Sequence, residues 1–283
     1  MESKEYVKYE MQYIHLLQDI MENGYKQLNE RTGVETLRIP HGMFQVDLQK
    51  EFPILHIKHV RWKTALKEIL WIMQSQSNNV NDLDANIWDD WADPDGSIGK
   101  AYGYQVAKNV TTLDGRAYSS QVHYVLESLK EDPSNRRAVI DLWNVDDLGQ
   151  MNLTPCCYSS CWNIIDGKLN CMLVQRSADY LVGVPFNTTQ YAILTSLFAR
   201  HLGIRPGILT HVMSDVHIYC YESHINAANK ILNYSYNELS EAMNTDPILV
   251  ISNIDNNFFN VKVNDVQLSN YIYLADYKLD VAV

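Results

Sequence analysis

Hydrophobic and polar positions along the chain set out most of its elements. Residues 3–21 carry Tyr6, Tyr9, Tyr13, Leu16, Leu17 and Ile20 at helical spacing, and Gly24 follows as a stop signal. Residues 37–55 alternate apolar and polar side chains, as in Met43-Phe44-Gln45-Val46, and predict strands. Residues 62–73 are apolar nearly all round, which predicts a helix buried on several sides. Residues 121–129 predict a third helix, and residues 138–143 a strand. Between residues 161 and 175 two strand-like runs are joined by Asp166-Gly167, a pair suited to the positive φ angles of a two-residue hairpin turn. Residues 187–202 form a long apolar helix. Asn187 and Gln190 hold the first and fourth places of a capping box there, with Asn in place of Ser or Thr. The last seventy residues mix a helix with short strands. No repeat, low-complexity tract or long linker divides the chain, so residues 1–283 read as a single domain. Antiparallel strands among non-alternating helices predict an α+β fold.

Composition narrows the class. The 283 residues are 46% hydrophobic and 20% charged, as in an ordinary globular chain. A net charge of −11 argues against broad nucleic-acid binding, which needs a basic footprint, but not against one small anion held by a few arginines. No apolar run has membrane-spanning length, and the polar N-terminus lacks a signal-peptide pattern, so the expected location is cytoplasmic. Four of the five cysteines (Cys156, Cys157, Cys161, Cys171) crowd one stretch, with Cys220 apart. That spacing suits neither a disulfide framework nor a zinc site, so free thiols and no metal are expected.

Several residues are candidates for chemistry. A thiol in Thr154-Pro155-Cys156-Cys157 becomes a nucleophile as the thiolate, which positive charge from Arg176 or Arg136-Arg137 would stabilise; both cysteines read equally as buried strand residues. Gln175-Arg176-Ser177-Ala178-Asp179 offers a guanidinium, a hydroxyl and backbone N–H groups to a phosphate. Arg31 and Arg136-Arg137 would complete an anion cage if they converge, and singly read as solvated arginines. Glu68 has Ala65, Trp71 and Ile72 as helical neighbours, a setting in which desolvation raises a carboxyl pKa toward proton transfer, unless it is a solvent-facing rim position. His217 and Tyr219 share one face of a strand and could bind a hydroxyl, or pack as core residues. Trp88 and Trp91 could stack on a flat heterocycle, or simply pack. Asn187 could read an amide-like base edge.

Together these pieces resemble thymidylate synthase over essentially the whole chain. The run from Gln175 to Asn187 is similar to the family signature QRSxDxxLGxPFN, with Val182 in place of leucine. Leu153-Thr154-Pro155-Cys156 resembles its nucleophile loop. Arg31-Thr32-Gly33, Glu68 with Trp71, Trp88 with Trp91, Ala101-Tyr102-Gly103, Arg136-Arg137, Asp215 to Tyr219 and the terminal Val281-Ala282-Val283 occur in the family's order.

The resemblance implies a homodimer joined through a large, mostly antiparallel, mixed sheet flanked by helices. It implies methylation of dUMP to dTMP with 5,10-methylenetetrahydrofolate, through attack of Cys156 on C6 of the uracil. Arg31, Arg176, Ser177 and Ala178 would hold the phosphate, with Arg136 and Arg137 reaching it from the other subunit. His217 and Tyr219 would bind the 3′-hydroxyl, and Asn187 would read the uracil. Glu68 would organise water and move protons, with Tyr102 nearby as a further catalytic residue. Ile87, Trp88, Trp91, Asp179, Gly183 and Phe186 would form the folate pocket, with Arg61 beside it and Lys58 at the glutamate tail. Ala282 and Val283 would close over the ligands. The chain departs from the family pattern at Cys157 (commonly histidine), Met213-Ser214, His56-Ile57 and Arg61, and in a shorter stretch before Ile87. A dUMP hydroxymethylase of the same fold, using water in place of hydride, is the rival reading. Asn187 favours uracil over cytosine, and an inactive or RNA-binding relative is a more distant alternative.

Overall fold

The computed structural model describes residues 6–252 and 255–281. Helix α1 (Tyr9–Asn23) is followed by the hairpin β1 (Tyr25–Asn29) and β2 (Val34–Asp47), and then by α2 (Trp62–Leu70), which runs into one π-helical turn. The central stretch holds α3 (Gly103–Val106), β3 (Val110–Thr111), β4 (Ala117–Tyr118), α4 (Gln121–Glu131) and β5 (Val139–Asp141). Next come β6 (Cys157–Ile165), β7 (Lys168–Gln175), β8 (Ala178–Asp179), α5 (Gly183–His201) and β9 (Arg205–Tyr219). The chain closes with α6 (Glu222–Leu232), α7 (Tyr236–Ala242), β10 (Ile248–Ile251) and β11 (Val266–Ser269).

One sheet of seven strands organises the molecule in the order β1-β2-β9-β7-β6-β5, with β8 also beside β9. Its pairs are antiparallel except β7 with β9 and β8 with β9, so the expected α+β class with a mixed sheet holds. One face packs on α1, α2 and α5 through two contiguous apolar cores. Trp162, Leu173, Phe198 and Leu66 belong to one, and Tyr13, Phe44, Tyr180 and Leu17 to the other. On the opposite face the register lines up Val139, Cys161, Met172, Thr210 and Gln45 in one row. Asp141, Ser159, Val174, Val212 and Met43 form the next row. Met43 is 59% exposed and Met172 39%, so within one chain this face has no apolar cover.

Several expectations shift by a few residues for identifiable reasons. The Asp166-Gly167 turn forms as read, with φ of 52° and 65°. The alternating run from residue 37 stops at Asp47, and residues 48–61 form turns and extended chain without strand partners. Helix α5 starts at Gly183, so Asn187 lies inside it and forms no capping box. The helix starts early because the Val182 N–H is accepted by the Asp179 carboxylate at 3.2 Å, and because Pro185, which has no N–H, sits in the first turn. The loop Asn144–Met151 is held by the Asp147 carboxylate, which accepts from Lys100, Lys108, Gln105 and Asn144.

Candidate active site

The β6–β7 hairpin builds the centre of the site. Its turn fixes the register that sets Cys157 opposite Gln175 at the open end. Cys156 and Arg176, one residue beyond each strand, therefore lie side by side, and the Arg176 N–H donates to the Cys156 carbonyl at 2.9 Å. The Arg176 guanidinium braces the loop before the cysteine. Nε donates to the Pro155 carbonyl at 3.0 Å, and Nη2 donates to the Thr154 carbonyl at 2.9 Å and its hydroxyl at 2.7 Å. The same guanidinium lies 5.4 Å from the ring centre of Trp143. Trp143 carries no motif, and sequence reasoning passed over it.

Cys156 opens on a small cavity of about 40 Å³, room for water at most. The cavity is walled by Glu68, Tyr102, Cys157, Asn187, Gln190 and Tyr191, with Ile69, Ile72, Met73 and Leu142 filling in. The Tyr102 hydroxyl accepts from the Cys156 N–H at 3.1 Å. Four elements thus meet here: α2, the residues before α3, the start of β6 and the first turns of α5. A larger cavity of about 710 Å³ lies elsewhere, beside Lys8, Glu51 and Pro206, and none of the candidate site residues lines it.

Electrostatics at the nucleophile differ from the sequence expectation. Burial pushes the Cys156 thiol up; Arg176 and Arg31 pull it down, and Asp179 adds to the rise. Burial wins, so in the single resting chain Cys156 is a neutral thiol rather than a stabilised thiolate. Cys157 is raised further by full burial, with Cys156 and Glu68 adding to it. Glu68 behaves as read: it is 7% exposed, and desolvation raises its pKa against hydrogen bonds from Trp88 and Gln190.

The parallel pairing of β8 with β9 sets Asp179 beside His217, and the Tyr180 N–H donates to the His217 carbonyl at 2.8 Å. His217 Nδ1 lies 2.8 Å from the Asp215 carbonyl, and its ring meets Tyr219 edge-on at 5.3 Å. Burial disfavours the His217 cation, but Asp215 and Asp179 outweigh it, so its pKa lies above the ordinary value. Burial, with Asp179 adding, pushes Tyr219 up to about 12, and Asp215 also pairs with Arg38 at 2.6 Å.

Trp88 forms an aromatic wall with Trp91 at 5.7 Å and Tyr102 at 5.0 Å between ring centres. Ile87 is exposed beside it, and Gly183 and Phe186 are half-buried in the first turn of α5. Asn187 lines the Cys156 cavity, while Ser177 and the buried Ala178 follow Arg176. Arg31 sits exposed in the β1–β2 turn, close enough to lower both Cys156 and Tyr219.

Other candidates stay apart. Arg136 and Arg137 lie exposed between α4 and β5, where the Arg137 carbonyl accepts from Tyr124. Lys58 is buried and donates to the Leu181 carbonyl; burial pushes its pKa down to about 8 against the pull of Asp179. Arg61 is exposed and pairs with Asp276 at 3.4 Å. Ala282 and Val283 lie outside the described residues. Among the described residues no group of His, Cys, Asp or Glu could hold a metal ion, and no helix is long and apolar enough to cross a membrane. All five cysteines are free thiols.

Residues 11–283 match the family model for thymidylate synthase. A thymidylate synthase of Clostridium beijerinckii is 42% identical over 278 residues, spanning 97% of this chain and 99% of that protein. One of Bacillus licheniformis is 39% identical over 287 residues, spanning 97% and 99%. The solved thermostable thymidylate synthase A from Bacillus subtilis superposes with a TM-score of 0.86 at 35% identity, covering 98% of this chain and 100% of that one. With a cysteine and a buried glutamate at one cavity, an arginine braced beside the cysteine, and a family match along nearly the whole length, the chain belongs to the thymidylate synthase family and is a one-carbon-transferring enzyme.

Proposed function

We propose that the chain methylates dUMP to dTMP with 5,10-methylenetetrahydrofolate as donor of both the carbon and the hydride, through a covalent bond from Cys156 to C6 of the uracil. The observation that carries this reading is the meeting of the Cys156 thiol with Glu68, Tyr102 and Asn187 at one cavity, with Arg176 bracing the loop before the cysteine.

Cys156 loses its proton as the nucleotide enters and adds to C6, which makes C5 a carbon nucleophile. C5 takes the donor's methylene. The C5 proton then leaves, the folate departs from the methylene, and hydride returned from the folate completes the methyl group. Elimination of Cys156 releases dTMP and leaves dihydrofolate. Arg176, Arg31 and Ser177 hold the phosphate, with Ala178 supplying backbone beside them. Asn187 pairs with the uracil amide edge, which donates and accepts at once. His217 and Tyr219 take the 3′-hydroxyl. Glu68, which lines the cavity, accepts and returns protons at the base, with Tyr102 completing the relay. Asp179 orders the turn into α5 behind the donor. Trp88, Trp91, Ile87, Gly183 and Phe186 hold the pterin, with Arg61 at the rim and Lys58 toward the tail once it leaves Leu181. Ala282 and Val283 close the site.

The working unit in this reading is a homodimer paired through the uncovered sheet face, with Arg136 and Arg137 of each chain serving the other's phosphate. Incubation with dUMP and 5,10-methylenetetrahydrofolate tests it. Dihydrofolate is followed by absorbance and the nucleotide is identified by mass. The reading expects dTMP and dihydrofolate in equal amounts. Hydroxymethyl-dUMP with tetrahydrofolate would establish the hydroxymethylase, and no turnover the inactive relative.

A further inference from the structure

We propose that Gln190 is a positioning residue for the reaction: its side-chain amide fixes the orientation of the Glu68 carboxylate and favours the charged form. The inference rests on the dUMP-methylating reading, because it assigns Glu68 a proton to move. Glu68 lies on α2 and Gln190 on α5, with side chains that meet across the packed helices. Gln190 is 3% exposed and Glu68 7%. Each carboxylate oxygen has one neutral donor: Oε1 accepts from Trp88 Nε1 at 2.6 Å, and Oε2 from Gln190 Nε2 at 2.5 Å. The Ala65 carbonyl lies 3.4 Å from the same Gln190 nitrogen, so two acceptors face the amide NH₂ and set which way it points.

Among the described residues no cation lines this cavity. The titratable groups lining the cavity with Glu68 are Tyr102 before α3, Cys156 and Cys157 at the start of β6, and Tyr191 on α5. Burial raises every one of them, so all are neutral at rest. The glutamate is therefore balanced between desolvation, which favours the acid, and two N–H dipoles, which favour the carboxylate. Trp88 is fixed independently by its contacts with Trp71, Trp91 and Tyr102. Gln190 is the adjustable half of the pair. A group that gives and takes protons works best when its pKa lies near the working pH, and the amide pulls Glu68 back toward that range.

The test compares wild type, Gln190→Leu and the nearly isosteric Gln190→Glu. Each is checked for folding by thermal melting and for dUMP binding by calorimetry. The pH dependence of kcat is measured, and the Glu68 carboxyl is titrated by infrared difference spectroscopy against Glu68→Gln. In Gln190→Leu we expect dUMP affinity unchanged and kcat lowered about tenfold or more. The Glu68 titration should rise by about one pH unit, the scale of a lost hydrogen bond to a charged group. Gln190→Glu should keep activity on the acid side and lose it as pH rises, because two adjacent carboxylates cannot both ionise cheaply. Folded variants with the wild-type profile and titration would overturn the proposal. If Gln190→Leu does not fold, Gln190→Glu decides. If wild type makes no dTMP, the functional reading fails, while the infrared titration still decides whether the amide holds the carboxylate.

Discussion

Glu68 shows what one residue costs and supplies. Its folded pKa lies above the ordinary carboxylate value of 4.5, with burial as the largest cause. Below that ordinary value the group is protonated in both folded and unfolded chains and has no effect on stability. As pH rises through the window between the ordinary and the raised value, the unfolded chain holds fewer protons than the folded one, and stability falls. Glu68→Gln, which carries no charge to desolvate, is expected to be more thermostable than wild type at neutral pH and equally stable at pH 4, while losing turnover. Melting curves at the two pH values check this. The burial of Glu68 was legible in the sequence because its helical neighbours are apolar. The partnership with Gln190 was not, because the spacing of Asn187 and Gln190 also fits a capping box and only the observed start of α5 removes that reading. At Cys156, likewise, charge neighbours such as Arg176 can be guessed from sequence, but the depth of burial that outweighs them in the single chain cannot.

At the scale of elements, local pattern served where local chemistry decides. The Asp166-Gly167 turn, the buried α2 and the amphipathic α4 all follow from short stretches. The parallel pairings of β7 and β8 with β9 do not, since they join segments separated by the whole of α5, and the β8–β9 pair is what sets Asp179 against His217. Close backbone approach is equally invisible in sequence. Gly103 follows Tyr102, whose φ is 40°, and a Cβ on Gly103 would come 1.9 Å from the Ser77 carbonyl oxygen. Gly103→Ala must push α3 away from Ser77, just beyond the π turn, moving the hydroxyl that accepts from Cys156. We expect a stability loss of about 1–3 kcal/mol, as for other overpacked sites, and a fall in kcat larger than any change in dUMP affinity. Denaturant unfolding together with steady-state kinetics would measure both.

The whole molecule carries a sheet with one face committed to its core and the other uncovered. The rows through Met172, Thr210, Val212 and Met43 present apolar and polar side chains, with Asp141 at the β5 edge as their one charge, a composition suited to pairing with a second copy. Met172→Asp is expected to yield monomers in sedimentation and to lose activity. Mixing inactive Cys156→Ser with weakened Arg137→Ala after subunit exchange should restore activity, because the heterodimer contains one site with both the cysteine and the partner's arginine intact. No recovery on mixing would place the phosphate site within one chain.

The covalent bond we propose between Cys156 and the nucleotide is the step on which the rest of the chemistry depends. A 5-fluoro analogue of dUMP cannot release its C5 substituent as a cation, so the reaction should stall after the folate's methylene is captured. Intact-mass measurement after incubation with this analogue and 5,10-methylenetetrahydrofolate should show one nucleotide and one folate added per chain. Peptide mapping should place the adduct on Cys156, and Cys156→Ser should show none. An unmodified wild-type chain, an adduct mapped to another cysteine, or dTMP formed by Cys156→Ser at the wild-type rate would contradict the account.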